Sequence, residues 1–164
     1  MNHDPLRLTS VEPHSEKCLR LTYEDGQTFE VDLTDWISRT HALKALADPA
    51  LFAQARLGEW GTSVVWIDDD LDLGADNLRH LAVEQAGGIG HERLATWMHE
   101  AGLTQERAAD AIGVSRRMLN YYLRGAKPIP KTVWLACVGW KAQQRLATSR
   151  RFGSDSMAAL AGSR

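Results

Sequence analysis

The residues best placed to do chemistry in this chain form one short run: Arg116, Arg117, Asn120, Tyr121 and Arg124. Helical spacing gathers them on one side, opposite Met118, Leu119, Tyr122 and Leu123. Three guanidinium groups beside an amide and a phenol make a surface for a polyanion, not a proton-transfer site. Catalytic patterns are missing elsewhere. There is no GxSxG, no phosphate-binding Gly loop and no dinucleotide fingerprint, and neither Cys18 nor Cys137 stands near a candidate base in the sequence. The acidic run Asp68-Asp69-Asp70-Leu71-Asp72 fails as a calcium loop, because Leu73 and Arg79 occupy the positions that need Gly and a bidentate Glu. It reads as a solvated acidic loop. His91-Glu92-Arg93-Leu94-Ala95 lacks the second His of a zinc helix, and His99 lies too far along to share an ion with His91. The chain reads as a binding protein, not an enzyme, with no metal or cofactor.

Two helices must hold that polar face. Thr104 is placed to cap the first, whose apolar face is Ala108, Ala109 and Ile112. Gly113 closes it after only two turns, and Ser115 caps the next helix two residues later, which ends at Gly125. Two short helices across a three-residue turn predict a helix-turn-helix. A preceding helix over His91–Ala101, with Leu94, Ala95 and Met98 on one face, and a following one from Lys131 to Ala147 would complete the bundle.

The anchors Leu103-Thr104-Gln105, Ala109, Gly113-Val114-Ser115 and Gly125 resemble the lambda-repressor-like, or Xre, type of helix-turn-helix, without insertion or deletion. The resemblance covers roughly residues 90–148 and implies a bundle of four or five helices that binds double-stranded DNA. It implies that Arg116, Arg117 and Tyr121 face base edges, where arginine can donate two bonds to guanine. It also puts Gln105, Asn120, Arg124 and Lys127 near phosphates, the first at a helix N-terminus whose dipole favours an anion. Leu123 and Met118 depart from the family pattern, where Glu and a small hydroxyl residue are common. The same bundle could serve protein contact alone.

The first half reads as α+β. Leu19, Leu21 and Tyr23 alternate, as do Phe29, Val31 and Leu33, and Asp25-Gly26 between them predicts a type I′ hairpin turn. Gln54–Leu57 and Thr62–Ile67 predict a second strand pair, and Asp48-Pro49 an N-cap before a short turn. A helix is expected from Asp76, as cap, to Glu84, with Gly87 at its left-handed end. Trp36, Trp60 and Trp66 read as core or the rim of an interaction surface; Trp97, Trp134 and Trp140 as bundle supports. With Val31-Asp32-Leu33, Leu46-Ala47-Asp48-Pro49 and Trp66 before the acidic run, residues 5–80 are similar to the bacterial domain-of-unknown-function family 2442. Members of that family are often linked to toxin–antitoxin pairs, which keeps an antitoxin-like role open.

Charge divides the chain in the same place. Residues 1–88 carry 7 Lys/Arg against 16 Asp/Glu, and residues 89–164 carry 12 against 5, although the whole chain is only −2. An acidic α+β domain (1–86), a glycine-rich hinge (87–90), a basic helical domain (91–148) and a flexible tail (149–164) are the expected organisation. No apolar run approaches the ~20 residues of a membrane span. A signal-peptide pattern is absent, so a cytoplasmic location is expected. The reading is a sequence-specific transcriptional regulator, expected to bind DNA as a homodimer on two half-sites. The runner-up is an antitoxin-like protein whose acidic domain binds a protein partner.

Overall fold

The computed structural model describes residues 4–160, with side chains only as far as Arg151. A small α+β region is followed by a helical region, each with its own apolar cluster. The first region holds two three-stranded antiparallel sheets. One joins β1 (Leu8–Ser15), β2 (Cys18–Tyr23) and β3 (Thr28–Asp32). The other joins β4 (Arg56–Leu57), β5 (Ser63–Trp66) and β6 (Leu71–Gly74). Between them run α1 (Thr34–Arg39), a 3-10 turn (His41–Ala47) and α2 (Pro49–Phe52); α3 (Ala75–Gln85) follows β6.

Period-2 patterning sets β2: Leu19, Leu21 and Tyr23 point inward and are fully buried, with the residues between them turned toward the other face. Leu78 and Ala82 of α3 close the core against Val31, Val64 and Trp66. Two buried polar groups of this core are hydrogen-bonded. Tyr23 Oη donates to the Ala75 carbonyl at 2.8 Å, and Trp66 Nε1 to the Phe52 carbonyl at 3.0 Å. Burial pushes the Tyr23 phenol well above its usual range. Asp48 caps α2 as expected, its Oδ1 accepting from Ala50 N at 2.9 Å.

Several local expectations are corrected. The β2–β3 turn is not type I′, because only Gly26 (φ 81°) has positive φ. Tyr23 N donates to the Gln27 carbonyl, which leaves a three-residue loop with glycine in the left-handed position. Asp76 lies inside α3, whose cap position is Gly74, and makes no capping bond. The acidic run is not wholly loop. Ile67, Asp68 and Asp69 take positive φ in a four-residue turn, and Leu71 and Asp72 already belong to β6. Of the core and the surface rim expected for Trp60, the core is excluded: it is 74% exposed, with φ at 60°.

The second region comprises α4 (His91–Glu100), α5 (Gln105–Ile112), α6 (Arg116–Leu123) and α7 (Lys131–Leu160). Leu94, Trp97, Ala108, Ala109, Ile112, Leu119 and Cys137 are its centre, with Trp134 and Trp140 packed around them. Trp97 and Trp140 meet edge to face, centroids 5.7 Å apart. Ala95 is exposed, so the buried face of α4 is Leu94 with Trp97 and, in part, Met98. The helix expected to end near Ala147 continues to Leu160, into the segment read as a flexible tail; no proline interrupts it. Residues 161–164 of that tail lie outside the described residues.

Candidate nucleic-acid interface

The polar face of α6 is built by two caps and one glycine. Thr104 Oγ1 accepts from Arg107 N at 3.3 Å at the start of α5. Gly113, at φ 71°, ends that helix with its N–H on the Ala109 and Asp110 carbonyls, and Val114 N bonds the Ala109 carbonyl. An added Cβ there would meet open space, so backbone conformation alone demands glycine. Ser115 Oγ accepts from Met118 N at 3.1 Å and starts α6. Val114, packed against the bundle core, fixes the turn between the two helices.

α6 then divides by burial. Leu119 and Tyr122 are buried, Met118 and Leu123 half-buried against the core, while Arg116, Arg117, Asn120 and Arg124 are exposed. The departures at Met118 and Leu123 are thus packing residues. Tyr121 is half-buried and organises its neighbours: Arg117 Nε donates to its Oη at 3.0 Å, with Arg117 Cζ 5.6 Å from the ring centroid. Lys127 Nζ sits 5.2 Å from the same centroid. One phenol therefore gathers two cations, one from the helix and one from the loop beyond it. Gln105 is half-buried at the first position of α5. The structure brings Arg117, Tyr121 and Lys127 into one cluster, with Arg116, Asn120 and Arg124 on the same short helix or its end. No hydrogen bond or ion pair described here joins Gln105 to that cluster.

One residue that matters to this face entered the sequence reading only as a misfit in the calcium-loop pattern. Arg79 of α3 is 3% exposed, and its guanidinium crosses from the α+β region to the end of α6. Its Nη1 and Nη2 donate to the two carboxylate oxygens of Asp25, at 3.3 and 2.6 Å. Nη2 also donates to the Gly125 carbonyl at 3.4 Å, and the group lies over the rings of Tyr23 (4.8 Å) and Phe29 (5.3 Å). Gly125, at φ 64°, is the glycine that terminates α6. A cavity of about 220 Å³ remains at this seam, between Phe29, Arg79, His91, Tyr122 and Lys127. Burial holds the His91 imidazole below its usual pKa, with Glu92 opposing that shift and His80, 5.8 Å away ring to ring, adding to it.

The connection between α3 and α4 is equally defined. Gly87 (φ 82°) and Gly88 donate to the Glu84 and Val83 carbonyls, and Gly90 N donates to Glu84 Oε1 at 2.7 Å. Arg93 pairs with the other oxygen of Glu84, and Asn77 Nδ2 donates to Glu92 Oε1 at 2.9 Å. A Cβ at Gly90 would stand 1.9 Å from His80 Nδ1, so any larger residue would have to displace that imidazole.

No group of three or more metal-ligating side chains lies together among the described residues, and no described helix is long and apolar enough to cross a membrane.

Comparison with known proteins divides the chain the same way. Residues 8–84 match a protein family of unknown function, DUF2442, and residues 92–138 match a helix-turn-helix domain. None of the curated proteins matches the chain. A crystal structure described as "putative DNA binding protein NE0471", from Nitrosomonas europaea ATCC 19718, is 41% identical; the match covers 88% of this chain and 92% of that one, with a TM-score of 0.80. The chain, which itself joins a DUF2442 match to a C-terminal helix-turn-helix match, belongs to the same family as that Nitrosomonas protein.

Proposed function

We propose that this protein binds double-stranded DNA at a specific sequence and regulates transcription, with α6 in the major groove. The observation that carries the reading is the cation cluster on a capped helix of helix-turn-helix geometry: Arg117 and Lys127 gathered by Tyr121, with Arg116 and Arg124 exposed on the same helix or its end. Arg116, Arg117 and Tyr121 face base edges, and Arg117 meets the groove already held by a hydrogen bond, which lowers the ordering entropy lost on binding. Gln105, Asn120, Arg124 and Lys127 bind phosphates and release counterions. The helix-turn-helix match and the description of the Nitrosomonas structure support a DNA-binding role. The protein acts by binding, not by catalysis, as a cytoplasmic homodimer on two half-sites about one helical turn apart.

Selection from random duplex DNA with the full chain, followed by binding at two salt concentrations, tests this. One enriched motif, with affinity surviving moderate salt, is expected. Unselective binding that vanishes with salt would refute it.

A specific observation also favours a second role for the acidic region. Trp60 is 74% exposed and Leu57, on the neighbouring edge strand, 38% exposed. An indole presented to solvent on an acidic domain suits a protein partner, as an antitoxin-like function requires. Co-purification with the product of an adjacent small basic gene, lost in Trp60→Ala, is the expected result of that reading.

A further inference from the structure

Helix α7 is apolar on two sides. Val133, Cys137 and Trp140 face the bundle, whereas Leu135, Val138, Ala142 and Leu146 recur at helical spacing on another side. Leu135, Val138 and Leu146 are 54%, 48% and 62% exposed. From Lys141 to Arg151 every residue is exposed, although α7 continues to Leu160. At about 1.5 Å per residue, its 30 residues span about 45 Å, far beyond what α4 and α5 cover. A solvated helix of that kind is marginal by itself; helices in proteins draw most of their stability from a packed face.

The uncovered side also borders a groove of about 850 Å³ between α4 and α7. Its walls differ in charge. α4 contributes Glu92 and Glu100, and α7 contributes Lys141 and Arg145 beside Val138, Ala142 and Leu146. Lys141 Nζ donates to Glu100 Oε2 at 2.5 Å, and with Arg145 it holds that carboxyl below its usual pKa. Arg93, also on the α4 wall, is occupied by Glu84 and lies over Trp134.

We propose that this groove and the outer stripe of α7 form a twofold dimer interface whose occupant is α7 of a second copy of this chain. A twofold contact must be self-complementary. Here apolar stripe meets apolar stripe, Gly139 and Ala142 let the helices approach closely, and the incoming Arg145 meets Glu92, while Lys141 and Glu100 are paired within each chain. The inference rests on the two-half-site reading above, which needs a twofold, and supplies the surface that makes it.

Sedimentation of the full chain across the micromolar range, for the wild type and Leu146→Glu, tests the interface. A reversible wild-type dimer is expected, with the dissociation constant raised at least about tenfold in the variant. Leu146 is exposed in the monomer, so the urea midpoint read at a concentration where both chains are monomeric should not move. A wild-type chain that stays monomeric, free and on a two-half-site duplex, overturns the proposal. So does a variant that dimerises like the wild type. Affinity for a single half-site duplex, measured alongside, reads the DNA-binding reading separately: its loss with dimerisation intact would leave the interface standing and sink the regulator. Should Leu146→Glu fail to fold, Ala142→Cys in a Cys18→Ser background replaces it. Mild oxidation should give a covalent dimer, Cys137 being fully buried; no cross-link would overturn the proposal.

Discussion

Replacing Asp25 by alanine should be among the most damaging single changes outside the two hydrophobic cores. The Arg79 side chain is 4% exposed and Asp25 19%, and the pair is joined by two hydrogen bonds. Removing the carboxylate leaves a buried guanidinium with one long bond, to the Gly125 carbonyl at 3.4 Å, and two aromatic faces. Stranding one member of a buried pair costs about 3–5 kcal/mol. Asp25 is partly reached by water and the rings offset some of the charge, so the lower end, about 3 kcal/mol, is expected. Urea denaturation followed by tryptophan fluorescence reads it as a lowered midpoint; for a chain of this size the melting temperature should fall by roughly 6–12 °C. The double variant Asp25→Ala/Arg79→Met removes the stranded charge and should recover most of the loss. Asp25→Ala, and Arg79→Met made alone, should also weaken DNA binding beyond their effect on folding, because Arg79 holds the end of α6. If Asp25→Ala costs under about 1 kcal/mol and the double variant is no better, the pair is not a structural clamp and the reasoning fails.

Other changes separate the remaining claims. Arg117→Ala should cost about 1–3 kcal/mol on the preferred duplex and relax preference at one base, whereas Lys127→Ala should weaken all sequences alike and lower the salt slope by about 1; competition binding against a substituted duplex series distinguishes them. Arg117→Lys should not rescue, since an ammonium cannot reproduce the forked pairing. Gly113→Ala should lower thermal stability by about 1–2 kcal/mol from its φ of 71° alone, and Gly113→Asn by less. His91, held below its usual pKa by burial, is neutral in both states above about pH 6.5 and imposes no penalty there. As pH falls below that value the unfolded chain binds the proton first, so stability declines until the folded pKa is passed. Urea midpoints at neutral and mildly acid pH should therefore diverge less in His91→Gln than in the wild type.

The helix-turn-helix was legible because its determinants are local. Thr104, Gly113 and Ser115 act on backbone groups within four residues of themselves, and the burial of Ala109 and Leu119 follows from helical periodicity. β1 was not legible: Pro13 and a mostly exposed pattern conceal an edge strand that pairs through its backbone. α1 was missed because its cap position is Leu33, which makes no side-chain cap bond. The Asp25-Gly26 signal located the hairpin but not its turn type, since the Tyr23–Gln27 pairing shortens the loop. Arg79 carries no local signature. Its partners lie 54 and 46 residues away, and its role exists only once the two regions are folded together. α7 was read only for its extent and for Trp134 and Trp140 as bundle supports, and its outer apolar face became visible only when the bundle left it uncovered.

The passage from α3 to α4 has a mechanical consequence. With Gly90 wedged against His80 and Glu84 bonding both Gly90 and Arg93, the chain turns that corner without slack. The acidic region is therefore tied to the helical region at two separate places: at this corner, and at the end of α6, where Arg79 donates to the Gly125 carbonyl. On the proposed DNA-binding reading, a partner that displaces the acidic region should displace α6 with it, and Gly90→Ala, whose Cβ would stand 1.9 Å from His80 Nδ1, should disturb that coupling at the corner.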